Sequence, residues 1–195
     1  MQGLFNRAIQ CFLRDTYGPG LWLAVARRAH VGPEGFEAML TYDNSVTEAV
    51  LAAAVRELGR PRETVLEDLG TYLVSHPNVE GLRRLLRFGG AGYVEFLHSL
   101  EELPDRARLA LPDLDMPALD LHDMGRGAFL LTCRGPVPGI GHVIVGLLRA
   151  MADDYGALVL LDHQGEDRGA ERITIEVLDG RHSEGRHFEL AMKVH

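Results

Sequence analysis

The chain has little sulfur to work with. Its two cysteines, Cys11 and Cys133, lie far apart and show no metal-ligand spacing, which argues against a disulfide framework or a thiolate metal centre. Positive charge is also scarce. The net charge of −8 disfavours nucleic acid and anionic membrane surfaces as partners. No apolar run approaches the ~20 residues that a membrane span needs, and no signal peptide is recognisable. A cytoplasmic protein is therefore expected. There is no internal repeat, no low-complexity tract, no GxSxG element, no phosphate loop and no catalytic Cys/His arrangement, so an enzyme is not expected.

With 195 residues, 46% of them hydrophobic, the chain suits a single domain that fills a core without staples. Residues 3–16 read as an amphipathic helix with Leu4, Phe5, Ile9, Phe12 and Leu13 inward, and Leu21–Ala29 as a short helix around Trp22. Gly32–Gly35 is a loop. Ser45 with Glu48 fits a capping box for a helix over Val46–Leu58. A helix after Pro61 carries Val65, Leu66, Leu69, Tyr72 and Leu73 and stops at His76-Pro77. Gly81–Phe88 is a short helix, broken by Gly89-Gly90.

From Tyr93 a longer apolar helix presents Leu97, Leu100 and Leu103 at helical spacing. Pro104 lacks a backbone donor and would clash with the carbonyl of Leu100, so the helix should kink or restart there. Beyond Pro112 the period changes. Ala118–Leu121, Ala128–Cys133, Leu158–Asp162, Arg172–Leu178 and His187–Val194 are strand-like, and Gly139–Tyr155 is a helix between the second and third of them. The expectation is an α+β domain: a helical subdomain over about residues 1–65, then pocket-forming helices and a small antiparallel sheet with a crossover helix over about 66–195. Leu130, Thr132 and Arg134 share one face of their strand. A hydroxyl and a guanidinium there suit an apolar ligand with an anionic end.

The frame FLxxLxxLxDxxxxxxP, the strand element ending in Arg134, the opening MQGLFNRAIQCFLRDTYGPGLW, the YDNS segment and the VIVGLLRAMADDYG helix together resemble the heme nitric oxide/oxygen binding (H-NOX) domains. That family includes the amino-terminal domain of the soluble guanylate cyclase beta subunit. The resemblance spans roughly residues 1–180. It implies a heme b pocket between a helical half and a sheet half, lined here by Phe5, Ile9, Leu73, Leu97, Leu100 and Val143, with Pro117 nearby. For stand-alone bacterial members it implies a separate output protein such as a diguanylate cyclase or a histidine kinase. The family's Tyr-x-Ser-x-Arg element, which holds the porphyrin propionates, is Leu130, Thr132 and Arg134.

One departure matters most. Counting back from Leu111-Pro112, the place of the axial histidine is taken by Pro104, which has no lone pair for iron. His98, six positions earlier, lies ~120° around a helix from that place. His76 and His142 fall where the family has its distal side, and either is a candidate ligand from there. An empty pocket of ~300–1,000 Å³ at ~24 cal/mol per Å³ would cost ~7–24 kcal/mol, against a stability of ~5–15 kcal/mol. The pocket must therefore be filled, by heme or another apolar molecule, or closed by bulky side chains. The second course makes the chain a heme-free interaction or scaffold domain.

The other charged groups look structural. Arg83, Arg84 and Arg87 read as a solvated helix face, and Asp153-Asp154 and Glu101-Glu102 as solvent-facing carboxylates. His163, His182, His187 and His195 read as surface residues.

Overall fold

The computed structural model describes residues 3–110 and 116–186. Among these residues, eight α-helices run in chain order: α1 (Gly3–Tyr17), α2 (Pro19–Arg28), α3 (Asn44–Leu58), α4 (Arg62–Ser75), α5 (Glu80–Arg87), α6 (Tyr93–His98), α7 (Leu103–Ala110) and α8 (Ile140–Tyr155). Four strands, β1 (Ala118–Gly125), β2 (Ala128–Arg134), β3 (Leu158–Asp167) and β4 (Ala170–Asp179), form one antiparallel sheet in the order β1-β2-β4-β3. The helix α8 therefore carries the chain from β2 past the position of β4. The strand expected over His187–Val194 lies outside the described residues.

Local chemistry sets most of the boundaries. Pro19 starts α2, where its missing N–H is no loss. The cap of α3 is Asp43, whose carboxylate accepts the Ser45 N–H at 2.8 Å, and not the box expected from Ser45 and Glu48. Glu48 instead takes both guanidinium nitrogens of Arg62, each at 2.8 Å. Gly59 ends α3 in the left-handed conformation.

Two apolar cores result. The helical core gathers Ile9, Phe12, Leu13, Trp22, Val50 and Leu66 with the α8 residues Ile140 and Val143. The sheet core gathers Leu97, Leu100, Phe129, Leu131, Leu148 and Ile173. The expected subdomain boundary near residue 65 falls inside this arrangement, because α4 sends Val65, Leu66 and Leu69 to the helical core and Val74 to the sheet core. Helices α4 and α8 cross backbone to backbone. A Cβ on Gly70 would collide with the Val143 carbonyl, and one on Gly146 with the Glu67 carbonyl. Among the described residues no helix is long and apolar enough to cross a membrane.

Candidate functional site

Strand β2 buries Phe129, Leu131 and Cys133, while Leu130 and Thr132 are half-buried and Arg134 is exposed. Burial and the nearby Glu171 carboxylate push the Cys133 thiol up to about 12. The face with Leu130, Thr132 and Arg134 looks away from the apolar helices. Its cross-strand neighbours are His122, Asp120 and Ala118 on one side and Thr174 and Arg172 on the other. The expected meeting of an apolar helix with a hydroxyl and a guanidinium is thus not what forms. The physical reason is selection between two alternating sets. Phe129, Leu131 and Cys133 are the more apolar, and a strand turns only one set to its core.

Proline interrupts the helix from Tyr93 as expected, but upstream of itself. Helix α6 ends at His98, a 3₁₀ turn covers Leu100–Glu102, and α7 restarts at Leu103. Pro104 is buried in the first turn of α7, where no intrahelical donor is lost. Leu97, Leu100 and Leu103 are all at most 2% exposed. His98 is exposed, edge-on to Phe129 with ring centroids 5.7 Å apart. Pro117 is buried just ahead of β1.

The six apolar residues expected around one pocket are shared between the two cores. Leu97 and Leu100 lie in the sheet core, and Ile9 and Val143 in the helical core with half-buried Phe5 and Leu73 packed on it. Among the described residues, two open clefts occur on the surface. One, of about 470 Å³, lies among Phe12, Tyr17, Tyr72 and His76. The other, of about 370 Å³, lies between Gly92–Glu95 and Asp179–Arg181. Of the expected pocket and ligand residues, only His76 lines either one.

The two histidines expected on the distal side, His76 and His142, have partners. The His76 ring lies tilted against that of Tyr72, with centroids 4.8 Å apart, and its Nδ1 accepts the Asn78 N–H at 3.3 Å. His142 stacks on His163 at 3.9 Å between centroids, and its Nδ1 lies 3.3 Å from a Glu67 carboxylate oxygen. His163 Nε2 is 2.8 Å from the Glu171 carboxylate, which also accepts the N–H groups of Gly139 and Gly141 at 3.0 and 3.1 Å. Since His163 Nδ1 accepts the Gly165 N–H at 3.2 Å, its proton sits on Nε2 and is donated to Glu171. His163 is therefore not a surface residue. It belongs to a joint that fastens the start of α8 to β3, β4 and α4. Nothing in the spacing along the chain marks this joint, since its four side chains come from four elements.

The arginines of α5 also differ from expectation. Arg83 grips the fully buried Asp154 carboxylate with two bonds of 2.8 and 2.7 Å, and Arg87 lies 4.1 Å over the Tyr155 ring. Asp154 does not face solvent. Its position, three residues after Met151 and seven after Leu147, places it on the apolar face of α8. Glu101 accepts the Leu121 N–H at 3.0 Å. Among the described residues no three His, Cys, Asp or Glu side chains are grouped to hold a metal ion.

A helical half packed on a small antiparallel sheet, with α4 and α8 shared by both cores, defines an α+β architecture. The chain belongs to the Haem-NO-binding (H-NOX) family, whose pattern matches residues 2–163. It is similar to soluble guanylate cyclase 89Db of Drosophila melanogaster, with 19% identity over 92% of this chain and 28% of that protein. It is also similar to the guanylate cyclase soluble subunit beta-2 of Rattus norvegicus, with 27% identity over 48% of this chain and 14% of that one. The chain thus spans less than a third of the length of these relatives. The fold matches an H-NOX protein from S. oneidensis in the Fe(II)NO ligation state with a TM-score of 0.75, at 14% identity over 92% of this chain and all of that one. It also matches an oxygen-binding H-NOX domain related to soluble guanylate cyclases, with a TM-score of 0.67 at 15% identity.

Proposed function

We propose that this chain is an H-NOX signal-transduction domain that does not sense gas through a histidine-ligated heme. Pro104 carries the reading: a buried imino acid stands at the place from which the resemblance has an imidazole reach iron. Members of the family bind heme, but the donor set here does not fit one. His98 is exposed, His76 accepts the Asn78 N–H on Nδ1 and so carries its own proton on Nε2, and His142 is stacked on His163 in the joint with Glu67 and Glu171. Arg134, aligned with the family's propionate partner, is exposed on the sheet face that looks away from the helices. Output through a separate cytoplasmic partner, a diguanylate cyclase or histidine kinase by family resemblance, remains part of this proposal, as does a small apolar ligand in place of heme. No catalytic step is assigned to the chain.

A second reading, a heme-free scaffold with its pocket closed, is favoured by one observation. Phe5, Ile9, Leu73, Leu97, Leu100 and Val143 are packed into the two cores and line neither cleft. Titration of the pure protein with hemin, followed by absorbance, tests the first reading. No Soret band of a five-coordinate histidine-ligated heme is expected for the native chain. Such a band, lost in the His98→Ala, His76→Ala or His142→Ala variant, would overturn it. Native mass spectrometry separates the two readings: a retained small apolar mass supports a ligand sensor, and its absence the scaffold.

A further inference from the structure

The sheet has two edges, and they are treated differently. At β1 the edge is guarded. A bulge interrupts pairing between Asp123 and Gly125, Asp120, His122 and Asp123 are charged or titratable, and the Leu121 N–H is already taken by Glu101. These are common ways of keeping an edge from recruiting another strand. The edge at β3 is open in its first half. Leu158, Val159, Leu160 and Leu161 run without charge or proline. The one register shift there, between Leu158 and Val159, places its extra residue, Leu178, on the inner strand β4. Among the described residues no strand pairs on the outer side of β3. The chain after β4 turns back along α8, with Ser183 N–H on the Gly156 carbonyl and Arg186 N–H on that of Asp154.

Side chains at this edge are as exposed as its backbone. Leu158 is 40% exposed and Leu160 56%, with Leu178 of the adjoining strand at 50%, all on the outer face. Val159 and Leu161 alternate with them and sit half-buried at the rim of the sheet core. A strand added here would gain main-chain hydrogen bonds and apolar contact on both faces.

We propose that the first half of β3 pairs antiparallel with the same segment of a second copy of this chain, across a twofold axis. Two features select that occupant. An antiparallel edge is self-complementary under a twofold, so the free N–H groups of one copy meet the free C=O groups of the other. The charge distribution favours the same geometry. The acids of β3, Asp162, Glu166 and Asp167, all lie in its second half, and antiparallel pairing centred on Leu158–Leu161 sends them to opposite ends of the joint sheet. Parallel pairing would align them. In a chain of net charge −8, self-repulsion opposes association least at an uncharged contact, and this segment supplies one. The contact is short, so the dimer is weak and concentration-dependent. It does not depend on whether a ligand occupies the molecule.

Sedimentation velocity of the full chain, from low micromolar to several hundred micromolar, tests this. A reversible monomer–dimer equilibrium is expected. Leu160→Lys and Leu160→Glu should each weaken it at least tenfold, with circular dichroism unchanged because the side chain is exposed. An equimolar mixture of the two variants should restore the dimer as a heterodimer, which only pairing through the same edge achieves. Leu23→Lys, at a residue of comparable exposure on α2, should leave the equilibrium unaltered. A monomer at every concentration, a dimer that survives both Leu160 variants, or a mixture that fails to re-associate would each overturn the proposal. The first outcome would leave the edge to a strand of another protein.

Discussion

The helical core and the sheet core are both closed to water, yet different interactions hold their surroundings in place. Around the helical core a long connection between α2 and α3 has only isolated turn bonds of its own, Gly35 N–H to the Gly32 carbonyl and Leu40 N–H to the Glu37 carbonyl, and buried side chains help position it. Gln10 accepts the Phe36 N–H at 3.1 Å and donates to the Glu34 carbonyl at 3.0 Å, and Trp22 donates to the Pro33 carbonyl at 2.9 Å. Phe36 sits edge-on between Trp22 and Tyr42. Around the sheet core the strand ladder satisfies the backbone, and the Arg83–Asp154 ion pair from α5 to α8 locks the helices over it. Tyr93, whose phenol burial pushes far up, adds one bond to the Leu148 carbonyl at 3.1 Å. Side-chain bonds to loop backbone tie one half together, and a ladder with a buried charge pair the other. Both halves meet on α8.

The ion pair is the point at which the sheet half should break most easily. Asp154→Ala takes away the carboxylate that Arg83 grips and leaves a void in its place, and the expected loss is about 3–5 kcal/mol by chemical denaturation. A loss below about 1 kcal/mol would show that the pair is no more than a surface contact. Next in size come matched truncations of the cores. Leu97→Ala and Ile9→Ala should each cost about 2–5 kcal/mol, since both side chains are fully packed. If Leu97→Ala cost much less than Ile9→Ala, Leu97 would be lining a space already open, which would favour a ligand pocket over a closed one. At the shared crossing, Gly146→Ala should cost about 1–3 kcal/mol by pushing α8 off α4, read as a lower melting temperature.

The smallest effect concerns pH and the helical half alone. Although burial acts to raise it, hydrogen bonds from Asn78, Tyr72 and Arg14 hold the Asp15 carboxyl below its usual value. A carboxyl held low in the folded state stabilises the fold above its unfolded pKa and loses that contribution as pH falls through the folded one. Stability of the native chain should therefore decline more steeply below about pH 4 than that of Asp15→Asn. Denaturation midpoints across that range provide the check, and equal slopes would assign the acid sensitivity to other groups.

The elements were legible because each follows from a local pattern. Val65, Leu66, Leu69 and Tyr72 mark the buried face of α4 at helical spacing, and Ile173, Ile175 and Val177 mark that of β4 at strand spacing. Pro104 announces a break in the helix through its ring and missing donor alone. What could not be read is how faces and partners are chosen. Glu48 is equally suited to a capping box or to Arg62, and it goes to Arg62 because α4 brings that guanidinium within reach.

The sequence by itself determined the order of elements, the α+β class, the H-NOX resemblance and the presence of proline at position 104, because covalent order and side-chain type suffice for all of these. Only the tertiary structure decided that Arg134 turns outward, that Asp154 is buried against Arg83, and that His142 and His163 stack between two carboxylates. Each of those outcomes depends on distances between residues far apart in the chain, and such distances exist only once the two cores have closed on α8.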